Sequence, residues 1–148
     1  VGLVAGILLA ALVVQLLKRV SLTSCPWDLV EFGGTAHHVS HWRWGLADGG
    51  GGHCFPAGHA STAFAFLAAY FWLRPAAPRV ARWWLATTLL AGLLFGAVQM
   101  VRGAHYLSHV LWAGWCCWLA GGSLWFAVQA WRARRCLSVL APQTGTFS

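Results

Sequence analysis

The amino-acid sequence predicts an all-α membrane protein, a polytopic bundle of transmembrane helices. Of its 148 residues, 59% are hydrophobic and only 9% are charged, whereas soluble domains carry about 25% charged residues. The mean hydropathy is +0.63, and the apolar residues occur in long runs without charge, as in chains that cross a bilayer. These values exclude an ordinary soluble domain, a disordered chain and a coiled coil.

Four apolar runs predict the membrane helices, because about 20 apolar residues make one crossing. The runs are residues 1–17, 59–73, 83–100 and 105–131. The second run is short, so we expect it to begin earlier, near Pro56, or to rely on its neighbours to cover the mismatch. Residues 74–82 contain two prolines and predict a tight turn.

The hydrophilic segments complete one predicted domain over residues 1–148. Residues 18–58 form a long loop on one side of the membrane, and residues 132–148 form a tail on the other side. The tail side has six arginines and no acidic residue: Arg74, Arg79, Arg82, Arg132, Arg134 and Arg135. The positive-inside rule makes this side cytoplasmic. We therefore predict an integral protein of a bacterial inner membrane with its chemistry facing the periplasm.

The formal charge of +7 raises the question of a nucleic-acid partner. The basic residues, however, lie at the ends of apolar runs, which is typical of membrane topology. We therefore expect membrane lipids as partners and no nucleic acid.

Three clusters of polar residues lie on the predicted periplasmic side, each at a helix end. The first is Lys18, followed after six residues by Cys25 and Pro26. The second is residues 54–61, which read CFPAGHAS, and the third is residues 102–109, which read RGAHYLSH. The same side holds all seven histidines of the chain: His37, His38, His41, His53, His59, His105 and His109.

These clusters contain the groups that are needed to hold and cleave a phosphate ester. A glycine at a helix start presents backbone N–H groups to an anion, so Ala57, Gly58 and His59 predict a phosphate cradle. Lys18 and Arg102 supply fixed positive charge for the phosphate oxygens. Two histidines then remain for the reaction, one as nucleophile and one as proton donor.

The clusters resemble the motifs of the type 2 phosphatidic acid phosphatases, which share their site with the vanadium haloperoxidases. The family pattern is Lys-x6-Arg-Pro, then Pro-Ser-Gly-His, then Ser-Arg-x5-His-x3-Asp. This sequence has Lys18-x6-Cys25-Pro26, then Pro-Ala-Gly-His at 56–59, then His105-x3-His109. The order and the membrane side agree, and the resemblance covers roughly residues 1–131.

The resemblance implies a phosphatase that uses no metal ion and no cofactor. His105 is implied as the nucleophile that forms a phosphohistidine, His59 as the proton donor to the leaving oxygen, and Lys18 as a phosphate ligand. Because the family generally has six membrane helices, and because the sequence begins with Val1 rather than Met, we expect two further helices upstream.

The implied substrate is a lipid phosphate or lipid pyrophosphate, since a lipid ester can reach a membrane site without leaving the bilayer. Phosphatidic acid, phosphatidylglycerol phosphate, isoprenyl pyrophosphate and lipid A phosphates are not distinguished by the sequence. The oligomeric state is not predicted either.

Two departures from the family pattern affect the phosphate cradle. Cys25 replaces an arginine, which removes one permanent charge, and Ala57 replaces a serine but keeps the backbone N–H. Cys25 and Cys54 both lie on the side where oxidising conditions permit a disulfide. We hypothesise that they pair, tying the first cluster to the second and holding Lys18 in place.

Other departures affect the third cluster. Gln99 occupies the usual arginine position, and Arg102 stands three residues before His105. His109 replaces the aspartate that orients the nucleophile. Residues three and four apart share a helix face, so we expect Arg102, His105 and His109 to point into one pocket. A neutral His109 would accept the ring N–H of His105 but lacks the carboxylate charge that stabilises an imidazolium. We therefore expect a slower or differently tuned enzyme.

Two other classes of function remain open. One is a catalytically silent relative that binds phospholipid. The other is a metal- or haem-binding membrane protein, since His105 and His109 have the i, i+4 spacing of a helical metal pair. Its further ligands would be His59 or the loop histidines. In the absence of a metal, we expect the loop histidines to be solvated: His37, His38, His41 and His53.

Overall fold

The chain folds into an all-α bundle, as the composition predicts. The structure is a computed structural model and describes residues 1–43 and 45–140. The helices are α1 (Gly2–Val20), α2 (Gly58–Phe64), α3 (Ala68–Leu73), α4 (Pro78–Val101) and α5 (Leu107–Leu140). A 3₁₀ turn at Ala65–Leu67 joins α2 to α3, and the two are called the α2–α3 rod below.

Three helices are long and apolar enough to cross a membrane: α1, α4 and the part of α5 from Leu107 to Ser138. The α2–α3 rod is shorter, roughly 24 Å at 1.5 Å per residue. It corresponds to the second apolar run, whose shortness was expected. The chain is therefore a membrane protein with three full-length apolar helices and one shorter helical rod.

The boundaries of three helices differ from the predicted ones. α1 continues to Val20 rather than ending at 17, so Lys18 is helical and does not belong to the loop. α4 begins at Pro78 rather than at 83, because proline is well accommodated in the first turn of a helix. α5 begins at Leu107 rather than at 105 and continues to Leu140 rather than ending at 131. The first part of the predicted tail is therefore helical, and residues 141–148 lie outside the described residues.

Small side chains form the contacts between the helices. Gly92 of α4 lies against the ring of Phe64, and Gly96 lies against Val110 of α5, so that a Cβ at either glycine would overlap its neighbour. The fully buried core residues are also mostly small: Ala10, Val14, Ala57, Ala60, Ala68, Val110, Ala113 and Cys117. Small residues allow close approach of helix backbones, as is typical of membrane bundles.

The direction of the helices brings the three predicted clusters to one end of the bundle. Gly58, at the start of α2, lies beside Lys18 near the end of α1, while Gly2 at the other end of α1 packs against Trp72 of α3. α4 runs back to the Lys18 end, and α5 leaves from it. We call this end the site end.

The loop between α1 and α2 folds over the site end. The His53 N–H donates to the Ser21 carbonyl at 2.8 Å, so the segment before α2 runs beside the segment after α1. The Trp27 N–H donates to the Gly103 carbonyl at 3.0 Å. These bonds connect the loop to the turn between α4 and α5, and they bring the three clusters within reach of one another.

Candidate active site

The ammonium of Lys18 lies at the start of α2. A Cβ at residue 58 would stand 3.2 Å from Lys18 Nζ. Because glycine has no Cβ, the ammonium can lie close to the backbone there. Lys18 is half-buried in the last turn of α1, and Gly58 is the first residue of α2. The contact places a fixed positive charge beside a helix start, where backbone N–H groups lack intrahelical partners.

We expect Gly58→Ala to lower kcat/KM for phosphate release about tenfold. The added methyl group would push Lys18 Nζ from its position, and a misplaced ammonium would hold the phosphate in a less reactive geometry. Steady-state phosphate release measures the effect. Gly51→Ala is the matched control, since no atom of the described residues lies within 4 Å of the Cβ that it would add. Equal kcat/KM for both variants would mean that Gly58 does not position the ammonium.

His105 lies between α4 and α5 and is only 6% exposed. Burial lowers its pKa to about 4, with smaller contributions from the charges of Lys18 and His59, while a hydrogen bond with the Cys54 backbone acts in the opposite direction. The ring is therefore neutral at pH 7 and has a lone pair for nucleophilic attack. His59, by contrast, is exposed at the start of α2. The structure thus brings Lys18, His59 and His105 together.

The predicted disulfide between Cys25 and Cys54 is confirmed, with the two Cα atoms 5.1 Å apart. Cys54 Sγ lies 3.5 Å from Nδ1 of His105. A disulfide sulfur carries no hydrogen and can only accept, so a hydrogen bond here places the ring proton on Nδ1 and leaves the lone pair on Nε2. The disulfide therefore favours the tautomer that a nucleophilic histidine needs.

His109 does not make the hydrogen bond that was expected of it. Its ring centroid is 5.8 Å from that of His105. Within residues 1–43 and 45–140, neither of its ring nitrogens has a partner at hydrogen-bond distance and angle, although the residue is only 1% exposed. The expectation assumed that both residues share one helix face. His105 instead precedes α5, because Gly103, with φ of +70°, turns the chain after α4.

Two predicted phosphate-binding residues are also placed differently from the expectation. The Ala57 N–H donates to the carbonyl of His109 at 3.1 Å, so it is occupied and does not extend the cradle. Arg102 is the exposed residue that follows α4, whereas His105 is buried. Of the predicted phosphate-binding residues, Lys18 and Gly58 lie beside each other at the start of α2.

An aromatic layer that could not be predicted from the sequence packs behind His109. His41 stacks on Phe55, with ring centroids 4.6 Å apart. The centroid of the His41 ring lies 5.8 Å from that of His109, and the two rings are nearly perpendicular. Tyr106 lies 5.4 Å from His109 on the same measure. His41 was expected to be solvated, but burial and the neighbouring His38 lower its pKa. The one sequence signal for this layer is that Phe55 lies within the second cluster, next to Cys54 and Pro56.

Asp48 fastens the loop that covers the site end. It is 4% exposed, and its carboxylate accepts hydrogen bonds from the Ser24 N–H at 2.6 Å, the Ser24 hydroxyl at 2.8 Å and the Gly50 N–H at 3.0 Å. Burial acts to raise the pKa of Asp48, but these hydrogen bonds outweigh it and hold the pKa below its ordinary value. Because Ser24 adjoins Cys25, the loop and the disulfide support each other.

We expect Asp48→Asn to destabilise the protein by about 1–3 kcal/mol, because it weakens hydrogen bonds to a charged acceptor. Since the folded pKa is the lower one, the carboxylate stabilises the fold above the unfolded pKa of about 3.9, and this contribution is lost as the pH falls through the folded pKa. Thermal unfolding in detergent at pH 7 and pH 3 should show a smaller acid effect in the variant. Glu31→Gln removes the same charge at an exposed position, and an equal effect there would contradict the role of Asp48.

Metal-ligating side chains form one group of three within residues 1–43 and 45–140. It consists of Cys54, His105 and His109, whose ligand atoms all lie within 4.8 Å of one another. Cys54 is in the disulfide and therefore offers no thiolate, so two histidines remain where a structural zinc site needs four ligands. His59, expected as a further ligand, does not belong to this group.

Comparison with known proteins agrees with this geometry. The family model of the PAP2 superfamily matches residues 1–134. No curated protein matches the chain significantly, and no solved structure does. Because the family model covers nearly all of the helical bundle, including the clusters that converge at the site end, the chain belongs to the PAP2 superfamily.

Proposed function

We propose that this chain is a metal-independent membrane phosphatase that hydrolyses a lipid phosphate or lipid pyrophosphate through a phosphohistidine on His105. The observation that carries the proposal is the meeting of Lys18, His59 and a neutral His105 at one end of the bundle. A fixed cation, a proton donor and an imidazole lone pair are the three groups that phosphoryl transfer without a metal requires.

In the first step, Nε2 of His105 attacks phosphorus while the bond to the leaving oxygen breaks. Lys18 pairs with the phosphate oxygens, on which negative charge is concentrated, and the N–H groups at the start of α2 point toward the same place. His59 gives its proton to the leaving oxygen, which departs as an alcohol or, from a pyrophosphate, as a phosphate monoester.

In the second step, water attacks the phosphohistidine. His59, now unprotonated, takes a proton from this water as the oxygen–phosphorus bond forms. The bond between phosphorus and Nε2 breaks, inorganic phosphate leaves, and His105 returns to its neutral form. The cycle consumes one water and needs no oxidant, reductant or further cofactor.

The position of the site supports a lipid substrate. Lys18 lies in the last turn of an apolar helix of membrane length, so a phosphate ester anchored in the bilayer reaches the ammonium at the level of its own headgroup. The arginines of the opposite end favour a cytoplasmic location for that end. We therefore place the site on the periplasmic face of a bacterial inner membrane.

The test is phosphate release by the purified full-length protein in detergent, with EDTA present throughout. The substrates are phosphatidic acid, phosphatidylglycerol phosphate, an isoprenyl pyrophosphate and lipid A, with p-nitrophenyl phosphate as a soluble comparison. We expect release from at least one lipid at a higher kcat/KM than from the soluble ester. Activity that EDTA abolishes would contradict the metal-independent mechanism.

A catalytically silent phospholipid-binding relative is the second candidate. It is favoured by the occupied N–H of Ala57 and by the exposed position of Arg102, which leave the cradle with fewer groups than the family pattern provides. The same panel separates the two candidates. Binding of lipid phosphates to the protein without any release of phosphate would support the silent relative.

A further inference from the structure

The group formed by Cys54, His105 and His109 has the spacing of a zinc site although its sulfur is in a disulfide. Tetrahedral zinc with Zn–S of about 2.3 Å and Zn–N of about 2.05 Å sets sulfur and nitrogen about 3.6 Å apart. Cys54 Sγ and His105 Nδ1 are 3.5 Å apart. All three ligand atoms lie within 4.8 Å of one another, so a small movement of the His109 ring would complete the geometry.

We propose that Cys54, His105 and His109 form a latent zinc site that opens when the disulfide between Cys25 and Cys54 is reduced. The site supplies one thiolate and two imidazoles, and water takes the fourth position. Cysteine and histidine together select zinc and similar borderline cations over magnesium and calcium, which prefer oxygen ligands.

The burial of His109 is the second observation that points to a ligand. Its side chain is 1% exposed, and among the described residues neither ring nitrogen has a partner at hydrogen-bond distance and angle, although the Cys54 main chain lies near the ring. A buried polar group without a partner is costly. Because the ring already lies beside His105, a cation held there would give one of these nitrogens a partner.

Opening of the site is a two-electron reduction. A dithiol or a phosphine reductant supplies two electrons, the sulfur–sulfur bond breaks, and two protons are taken up to give the thiols of Cys25 and Cys54. Zinc then displaces the proton of the Cys54 thiol and binds the sulfur as a thiolate. Reoxidation by a disulfide-forming oxidant removes the thiolate ligand and releases the cation.

The consequence for turnover rests on the proposed function. Coordination through Nδ1 uses the lone pair of that nitrogen, so the proton of the neutral His105 ring moves to Nε2, which then has no lone pair for attack on phosphorus. Reduced protein should therefore lose phosphatase activity when zinc is added, whereas oxidised protein should keep it. Metal binding itself is measured separately, so failure of the phosphatase proposal does not decide this one.

The experiment uses Co²⁺ as the spectroscopic probe for zinc, with untagged full-length protein in detergent. The matched variants are Cys25→Ser and Cys54→Ser. Both lack the disulfide, and both keep the other free cysteines, Cys116, Cys117 and Cys136. Only Cys25→Ser retains the proposed sulfur ligand. Wild-type protein is measured both oxidised and reduced with a phosphine, so the test does not depend on folding of either variant.

We expect reduced wild type and Cys25→Ser to bind one Co²⁺ with a thiolate-to-cobalt charge-transfer band and the visible bands of tetrahedral cobalt. Cys54→Ser should bind Co²⁺ at least about a hundredfold more weakly, since loss of outer-shell partners alone costs 10–100-fold. Adding His109→Ala to Cys25→Ser should weaken binding similarly. Equal spectra for Cys25→Ser and Cys54→Ser, tight binding by oxidised protein, or no charge-transfer band in reduced wild type would each overturn the proposal.

Discussion

Replacing His105 by alanine should abolish phosphate release while the helical bundle remains folded. The substitution removes the proposed nucleophile, and nucleophile removal lowers kcat by about a thousandfold or more in enzymes that form covalent intermediates. The bundle should survive, because its core consists mainly of small apolar contacts between helices and does not depend on the His105 ring. Phosphate release under single-turnover conditions and helix content by circular dichroism measure the two effects.

The control for this prediction is His37→Ala. His37 is an exposed loop histidine, and the hydrogen bond that it makes to Asp48 comes from its backbone N–H, so the substitution leaves that bond in place. Its phosphate release should equal that of the wild type. Substantial turnover by His105→Ala would show that another group attacks phosphorus, and the proposed mechanism would then be wrong.

Replacing Lys18 by methionine should lower kcat/KM by about a hundredfold, because removal of one group that stabilises developing charge in a transition state typically costs 10²–10³. Methionine keeps much of the apolar stem, so the loss reports the ammonium rather than packing in α1. The dissociation constant for inorganic phosphate, measured by calorimetry, should rise together with the loss of kcat/KM.

Arg19→Met is the matched control for Lys18→Met. Both residues are basic and lie in the last turn of α1, but Arg19 is exposed, whereas Lys18 Nζ lies beside the start of α2. The pair therefore separates a phosphate ligand from a general effect of positive charge at the membrane surface. Equal losses in the two variants would assign the effect to surface charge.

The sequence was most informative about the helices and about the convergence of the clusters. Long apolar runs define membrane helices with little ambiguity, because each crossing must satisfy its own backbone hydrogen bonds. The placement of Lys18, His59 and His105 at helix ends on one side followed from the alternation of the helices. The pairing of Cys25 with Cys54 followed from their common compartment, and the structure confirms it.

The geometry within the third cluster could not be read from spacing. The i, i+4 relation of His105 and His109 predicts a shared helix face only if both residues are helical, and the turn at Gly103 leaves His105 before α5. The layer of His41 and Phe55 behind His109 was also unpredictable. It is built by an irregular loop, which has no periodicity from which contacts can be inferred.

The hydrogen bond from the Ala57 N–H to the His109 carbonyl has a consequence for how the family site tolerates change. It joins the first turns of two helices through main-chain atoms alone, so every residue except proline at position 57 can make it. The distance between the starts of α2 and α5 therefore does not depend on which side chains are present at positions 57 and 109. Where the family pattern has a serine and an aspartate, this chain has Ala57 and His109, and the main-chain bond between these two residues is still present.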